Sequence, residues 1–243
     1  ILEYISNSVV IRITILLGLA WDAQGKEWPV GSAKDIHGVL SKLKAGDAVV
    51  MQSGRWHNQS IRFTAKGTQQ KPIILKAQKP GQTILTGQSR LHLYGSHLVI
   101  DGLLFTEGSV AAGQTVIRLG EDTRHCRLTN TAVISYSHPD KNVSTAWVHA
   151  LGLHNRIDHC FFSGKSNIGV VLSVNFSVDQ PNYHQIDHNY FGPRSYHGSN
   201  GAEIIRIGDS TQSSQVSRTT VAHNLFEECS GEAEIITNKS CEN

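Results

Sequence analysis

Charge is scarce in this chain. Asp, Glu, Lys and Arg make up 17% of its 243 residues, and the formal net charge is only +2. There is no Lys/Arg-rich run, so the electrostatic footprint of a nucleic-acid partner is missing. No two of the four cysteines, Cys126, Cys160, Cys229 and Cys241, stand at C-x-x-C spacing, which removes a zinc ribbon and a thioredoxin-like centre from consideration. Cys126 and Cys160 read as buried free thiols, while Cys229 and Cys241 could pair in an oxidising compartment. The apolar run at 13–21 is too short to span a bilayer. Helical patterning is nearly absent too. Only residues 32–44 (SAKDIHGVLSKLK) place apolar side chains, Ile36, Val39, Leu40 and Leu43, at i, i+3, i+4 and i+7, with Ser32 as a cap and Gly46 beyond the end.

What the chain does have is glycine (22), histidine (13) and short apolar runs broken by turn residues, the signature of an all-β fold. The numbering opens on Ile1, with no initiator Met. Arg12, the run at 13–21 and the small residues to Gly25 resemble a secretory leader. A buried first strand or an upstream scar is the alternative for residues 1–25. Export to the periplasm or the medium follows from the leader reading. Residues 26–243 read as one β-rich domain, beginning with strands DAVVMQ, SIRFTA and PIILKAQ after the helix.

A repeat then dominates. An apolar–polar–polar–Asn/small–any–apolar pattern starts at Ile100, Leu128, Ile157, Ile186 and Val221, with offsets of 28, 29, 29 and 35. A second track begins at Val116, Trp147, Ile168, Glu203 and Glu232. A near-constant period of short strands without intervening helices predicts a single-stranded right-handed parallel β-helix whose coils, ~4.8 Å apart, share one core. Ile157, Ile186 and Val221 should stack inward, as should Phe162, Phe191 and Phe226. Asn189 and Asn224 should form a ladder. His159, His188 and His223 should form a column, read as stacked bend residues rather than as metal ligands. The helix at 32–44 should cap the open N-terminal coil, whose bare strand edges would otherwise invite aggregation.

The period also gathers acids. Glu232 and Glu234 share a face if extended, ~6.6 Å apart along the backbone. Glu203 lies 31 residues before Glu234 and Asn200 lies 32 before Glu232, about one coil in each case. Three carboxylates and an amide oxygen on one patch would suit Ca²⁺, a hard cation taking six to eight oxygens. Lys239, five residues after Glu234, would supply a proton-transfer base. A salt-bridged face, with Glu203 held by Arg206 or Arg194, is the alternative.

Residues 74–90 (ILKAQKPGQTILTGQSR), 188–194 (HNYFGPR), 200–208 (NGAEIIRIG) and the run from Asn224-Leu-Phe226 to Asn238-Lys-Ser-Cys241 resemble polysaccharide lyase family 6, which contains alginate lyases and chondroitinase B. The resemblance covers about 27–243. It implies a secreted β-helix enzyme that cleaves uronate polymers by Ca²⁺-dependent β-elimination. It also implies Asn200, Glu232 and Glu234 as calcium ligands, joined on stacking grounds by Glu203, and Lys239 as general base. The family's catalytic Arg would fall past Asn243, so the expectation is a β-helix cut short at its C-terminal end. Arg194, Tyr196, His197 and Arg206 are candidates for holding an acidic sugar.

β-Elimination removes the C5 proton of a uronate and expels the glycosidic oxygen at C4, so Lys239 must be neutral to act. Alginate is the expected polymer, with dermatan sulfate second. The alternatives are a β-helix glycoside hydrolase, using the two glutamates as acid and base, and a non-catalytic polysaccharide-binding adhesin. Neither a nucleic-acid nor a membrane partner is expected.

Overall fold

The computed structural model describes residues 25–176, 180–198, 200–211 and 215–239 with side chains, and 241–242 by backbone alone. Apart from Gly25, the leader-like segment at 1–25 lies outside the described residues.

Three parallel sheets wind around one core in about six turns. The first has eight strands, from Glu27–Val30 to Thr220–Ala222. The second runs from Gly54–His57 to Leu225–Phe226, and the third from Ser60–Lys66 to Ile236–Asn238, with seven strands each. All the pairings are parallel, and each strand bonds to its counterpart one coil away, so residues one period apart become neighbours. In the first sheet Leu75, Ile100, Leu128, Ile157, Ile186 and Val221 stand in register. That column matches the repeat read from the sequence.

The inner aromatic column also forms. Phe162, Phe191 and Phe226 stack at 5.3 and 5.0 Å between ring centroids. The asparagine ladder is complete at the adjoining bend. Asn189 accepts from Cys160 N at 3.0 Å and donates to Ile157 O at 2.9 Å. Asn224 accepts from Asn189 N at 2.9 Å and donates to Ile186 O at 2.8 Å. Each amide side chain thus satisfies backbone groups that the bend leaves without partners.

His159, His188 and His223 stack at 5.3 and 5.1 Å, each at a left-handed φ of 53–56°. The Nδ1 atoms of His159 and His188 lie 2.7 Å from Asp158 and Asp187 carboxylates, which Arg127 and Arg156 hold in turn. The column is bend structure, as the sequence suggested. A second stack, His97–His125–His154–Tyr183, was not anticipated.

The cap is shorter than the predicted 32–44. Helix α1 spans Ala33–Val39 and passes into a 3-10 turn, Leu40–Lys42. Ser32 caps it through Asp35 N, and the Asp35 carboxylate returns a bond to Gly31 N. The chain then leaves the helix because the Asp47 carboxylate takes the N–H groups of Lys44 and Lys26. Ile36 is fully buried over the first coil, so the helix does close that end. Strand Gly54–His57 is an addition to the strands expected from the sequence. Among the described residues no helix is long and apolar enough to cross a membrane.

The second track needs correcting. Its strands pair as Ile117–Val148–Leu172–Ile205–Ile236, so, level with Val116 and Trp147, Ile168 lies three residues too early, Glu203 one and Glu232 three. Coil length varies on this side because its loops vary. Cys229 is a free thiol, half-buried, with Sγ 3.3 Å from Phe191 O; the side chain of Cys241, with which it could pair by sequence, lies outside those described. Cys126 and Cys160 are buried and free, as expected.

Candidate active site

The candidate residues lie at the C-terminal coils of the third sheet. Ile205 pairs with Ile236, which sets Glu203 opposite Glu234. The stacking inferred from the 31-residue offset is therefore present. Glu232 and Glu234 lie in a bend before strand Ile236–Asn238 rather than within a strand, which corrects the extended spacing expected of them. The bend still turns both carboxylates together. Glu234's carboxyl is pushed above its ordinary range, first by the hydrogen bond it shares with Glu232, then by desolvation and by the charges of Glu232 and Glu203; Lys239 opposes the shift.

Glu232 is anchored from below. Its Oε2 accepts the N–H groups of Gly201 and Ala202 at 2.7 and 2.8 Å, while its Oε1 is buried without a partner. Glu203 is fully buried. Lys239 Nζ lies 2.8 Å from Glu203 Oε1 in ion-pair contact, off the line of a hydrogen bond, so both Glu203 oxygens lack hydrogen-bond donors. The same amine donates to Asn200 Oδ1 at 2.9 Å. Lys239 N bonds Ile207 O directly after the strand, which fixes where this side chain departs. Asn200, Glu203, Glu232, Glu234 and Lys239 thus form one patch.

The four residues expected to hold sugar separate. Tyr196 is 75% exposed beside the patch, and His197 is half-buried, with its N–H on Gly231 O. Arg206 projects from the outer face of strand Ile205–Ile207. Arg194 does not face solvent: it is 2% exposed, and its guanidinium donates to Glu203 O at 2.9 Å, Gly169 O at 2.7 Å and Asn167 O at 3.3 Å. Burial lowers its pKa to about 10. Neither Arg194 nor Arg206 pairs with the Glu203 carboxylate as the salt-bridged alternative required; Lys239 does. A Cβ on Gly231 would meet Arg194 Nε at 2.7 Å, so glycine there lets the Glu232 bend close over the guanidinium.

Sequence reasoning missed what lies beneath. Lys165 is 1% exposed, donates to Asn167 Oδ1 at 2.7 Å and faces the Trp147 ring at 5.8 Å. Burial, aided by the Arg194 charge, pushes its pKa down to about 6. Its neighbours Gly164, Ser166 and Asn167 gave no periodic signal.

The donor set suits a hard cation. It is all oxygen and carries a surplus of negative charge, and three of its buried oxygens want a donor or a metal. Among the described residues, no three His, Cys, Asp or Glu side chains already close as a metal cage. The fit therefore rests on the chemistry of the oxygens.

The chondroitinase B family model matches residues 30–243. The chain is 42% identical to the solved family 6 alginate lyase AlyGC, with a TM-score of 0.85 over 88% of this chain and 30% of that one. It is 41% identical to a mannuronic-acid-specific family 6 lyase from human gut microbiota, with a TM-score of 0.83 over 90% of this chain and 52% of that one. A family 6 lyase from Pseudopedobacter saltans follows at 34% identity and a TM-score of 0.78, over 87% of this chain and 49% of that one. The chain thus spans about a third to a half of these relatives' length. Among curated protein sequences nothing matches it.

Proposed function

We propose, from the premise that this chain belongs to polysaccharide lyase family 6, that it cleaves a uronate polysaccharide by β-elimination, with alginate as the polymer and Ca²⁺ as cofactor. One observation carries the reading: the Lys239 amine is lodged among Asn200, Glu203 and the Glu232–Glu234 pair, a base beside a cluster of hard oxygens.

Asn200, Glu203, Glu232 and Glu234 would hold the cation. When bound, calcium would neutralise the substrate carboxylate and stabilise charge developing next to it. Lys239 Nζ, in its neutral form, takes the C5 proton; the electron pair left on C5 forms the C4=C5 double bond as the C4–O glycosidic bond breaks, and the departing oxygen takes up a proton from water. Tyr196, exposed at the rim, is placed to pack on a sugar ring, and Arg206 to meet a carboxylate. Arg194 has another task, fixing the carbonyl of Glu203 and the coil below it. Export fits a polymeric substrate of this kind and is supported by the Arg12-led apolar run. Alginate is favoured over dermatan sulfate because AlyGC and the gut enzyme are alginate- and mannuronate-directed. The chondroitinase B family model keeps dermatan sulfate as the second substrate to assay.

The test is absorbance of the unsaturated product on alginate and on dermatan sulfate. Lys239→Ala should lose about 10²–10⁴-fold in rate, the usual scale for a general base. Reducing sugar released without ultraviolet absorbance would mean hydrolysis, and the elimination reading would be abandoned.

A further inference from the structure

Among the described residues Arg194 is the one buried arginine, and it stands where three successive coils meet. Its backbone bridges to Cys229 on the following coil: Arg194 N donates to Glu228 O at 3.0 Å, and Ser230 N donates to Arg194 O at 2.9 Å. Its guanidinium donates to Asn167 O and Gly169 O on the preceding coil and to Glu203 O on its own. Gly231 is closed between this side chain and Ala202 O, which an added Cβ would meet at 2.3 Å. The next residue, Glu232, then sets its carboxylate on the N–H groups of Gly201 and Ala202. One side chain therefore fixes both the carbonyl of Glu203 and the approach to Glu232.

All three acceptors of the guanidinium are neutral carbonyls. A buried cation held by neutral groups alone is costly. The charges of Glu203 and Glu232 offset that cost, because they oppose the drop that burial imposes on the Arg194 pKa. The neighbouring buried cation has no such support. Burial, and then the Arg194 charge, bring Lys165 down to about 6, so near pH 7 Lys165 is mostly neutral while the guanidinium keeps its proton. Lys239 reaches the Glu203 carboxylate from the partly exposed side and has to give up its proton for the proposed chemistry. The charge of Arg194 stays.

We propose that Arg194 is a positioning residue: the fixed counter-charge that holds Glu203 and Glu232 in place before any cation arrives, and that limits how tightly a cation then binds. Calcium as that cation rests on the proposed function. The counter-charge itself is testable without it.

The experiment compares Arg194→Met, which keeps the bulk and drops the charge, with Arg194→Lys, which keeps the charge and drops the planar fork. Thermal unfolding is recorded at pH 7 in chelator and in calcium, and calcium is titrated by calorimetry. Methionine ordinarily suits a buried position better than lysine. A counter-charge reverses that order: in chelator Arg194→Lys should melt several degrees above Arg194→Met, and calcium should narrow the gap. Arg194→Met should bind calcium on the order of tenfold more tightly than the parent, since a like charge beneath the site is gone. Arg194→Lys should bind it about as the parent does. Adding Glu203→Gln to Arg194→Met sets neutral against neutral, so the double variant should melt above the single one, a coupling that a packing role would not produce. This rescue also decides the matter if Arg194→Met alone does not fold. Arg194→Met melting at or above Arg194→Lys in chelator, or a double variant no more stable than the single, overturns the counter-charge. Calcium bound equally by parent and Arg194→Met overturns the limit on affinity. A parent that takes up no calcium would remove the cofactor reading, and the chelator comparison and the rescue would still judge Arg194.

Discussion

His184 is 1% exposed, and its Nδ1 accepts the N–H of Asn155 at 3.1 Å. Its Nε2 has no partner. Burial, with smaller contributions from His154 and Arg124, pushes its pKa down to about 3. Unfolded, the imidazole would titrate near 6.5. Between those two values the unfolded chain binds more protons than the folded one, so stability is full above about pH 6.5 and falls as the pH drops toward 3. His149, lowered to about 4, acts in the same direction. Each unit of pH in the shared window should cost about 1.4 kcal/mol per histidine. Urea midpoints at pH 7 and pH 5 would show it. His184→Asn, whose amide oxygen can still accept from Asn155 N, should remove about half of the slope. An unchanged slope would show that the imidazole titrates normally in the fold.

At the level of strands and bends, the molecule is held by columns of like residues. Asn189 shows what one rung does, because it serves Cys160 N and Ile157 O and meets Asn224 above. Asn189→Ala orphans two buried backbone groups and should cost about 2–6 kcal/mol, at 1–3 kcal/mol for each. Asn224→Ala lies at the last described rung, is half-exposed, and should cost less. Equal thermal shifts in the two variants would contradict a ladder graded by burial. These columns were legible from sequence because a coil of nearly fixed length repeats its residue types. The third sheet was less so. Its successive pairings Val148–Leu172, Leu172–Ile205 and Ile205–Ile236 span 24, 33 and 31 residues, since loops on that side are free to vary in length. The Glu203–Glu234 contact could be found because its offset stayed close to one period. The inward turn of Arg194 could not, because a lone arginine after Gly192-Pro193 carries no periodic signal and its partners are backbone carbonyls from other coils.

For the whole molecule, one winding axis decides where charge accumulates. Successive coils bring Glu203, Glu232 and Glu234 together, while Lys239 and the Arg194 charge beneath offset them only in part. The helix at the opposite end closes the core, so like charge at the C-terminal coils is the local tension that a bound cation would relieve. If calcium binds the folded state alone, it stabilises by mass action, about 2.7 kcal/mol at a hundredfold excess over Kd. At this chain length that is roughly 5–10 °C in Tm. Thermal unfolding in calcium and in chelator should differ by that order, and magnesium, which prefers rigid octahedral sites, should do less. Glu234→Gln removes one charge from the proposed site and relieves the crowding with Glu232 that raises the Glu234 pKa. It should therefore melt at or above the parent in chelator and lose most of the calcium shift. A full calcium shift in Glu234→Gln would place the cation elsewhere on the molecule, and no shift in the parent would leave Lys239 and Arg194 to neutralise the patch without a cation.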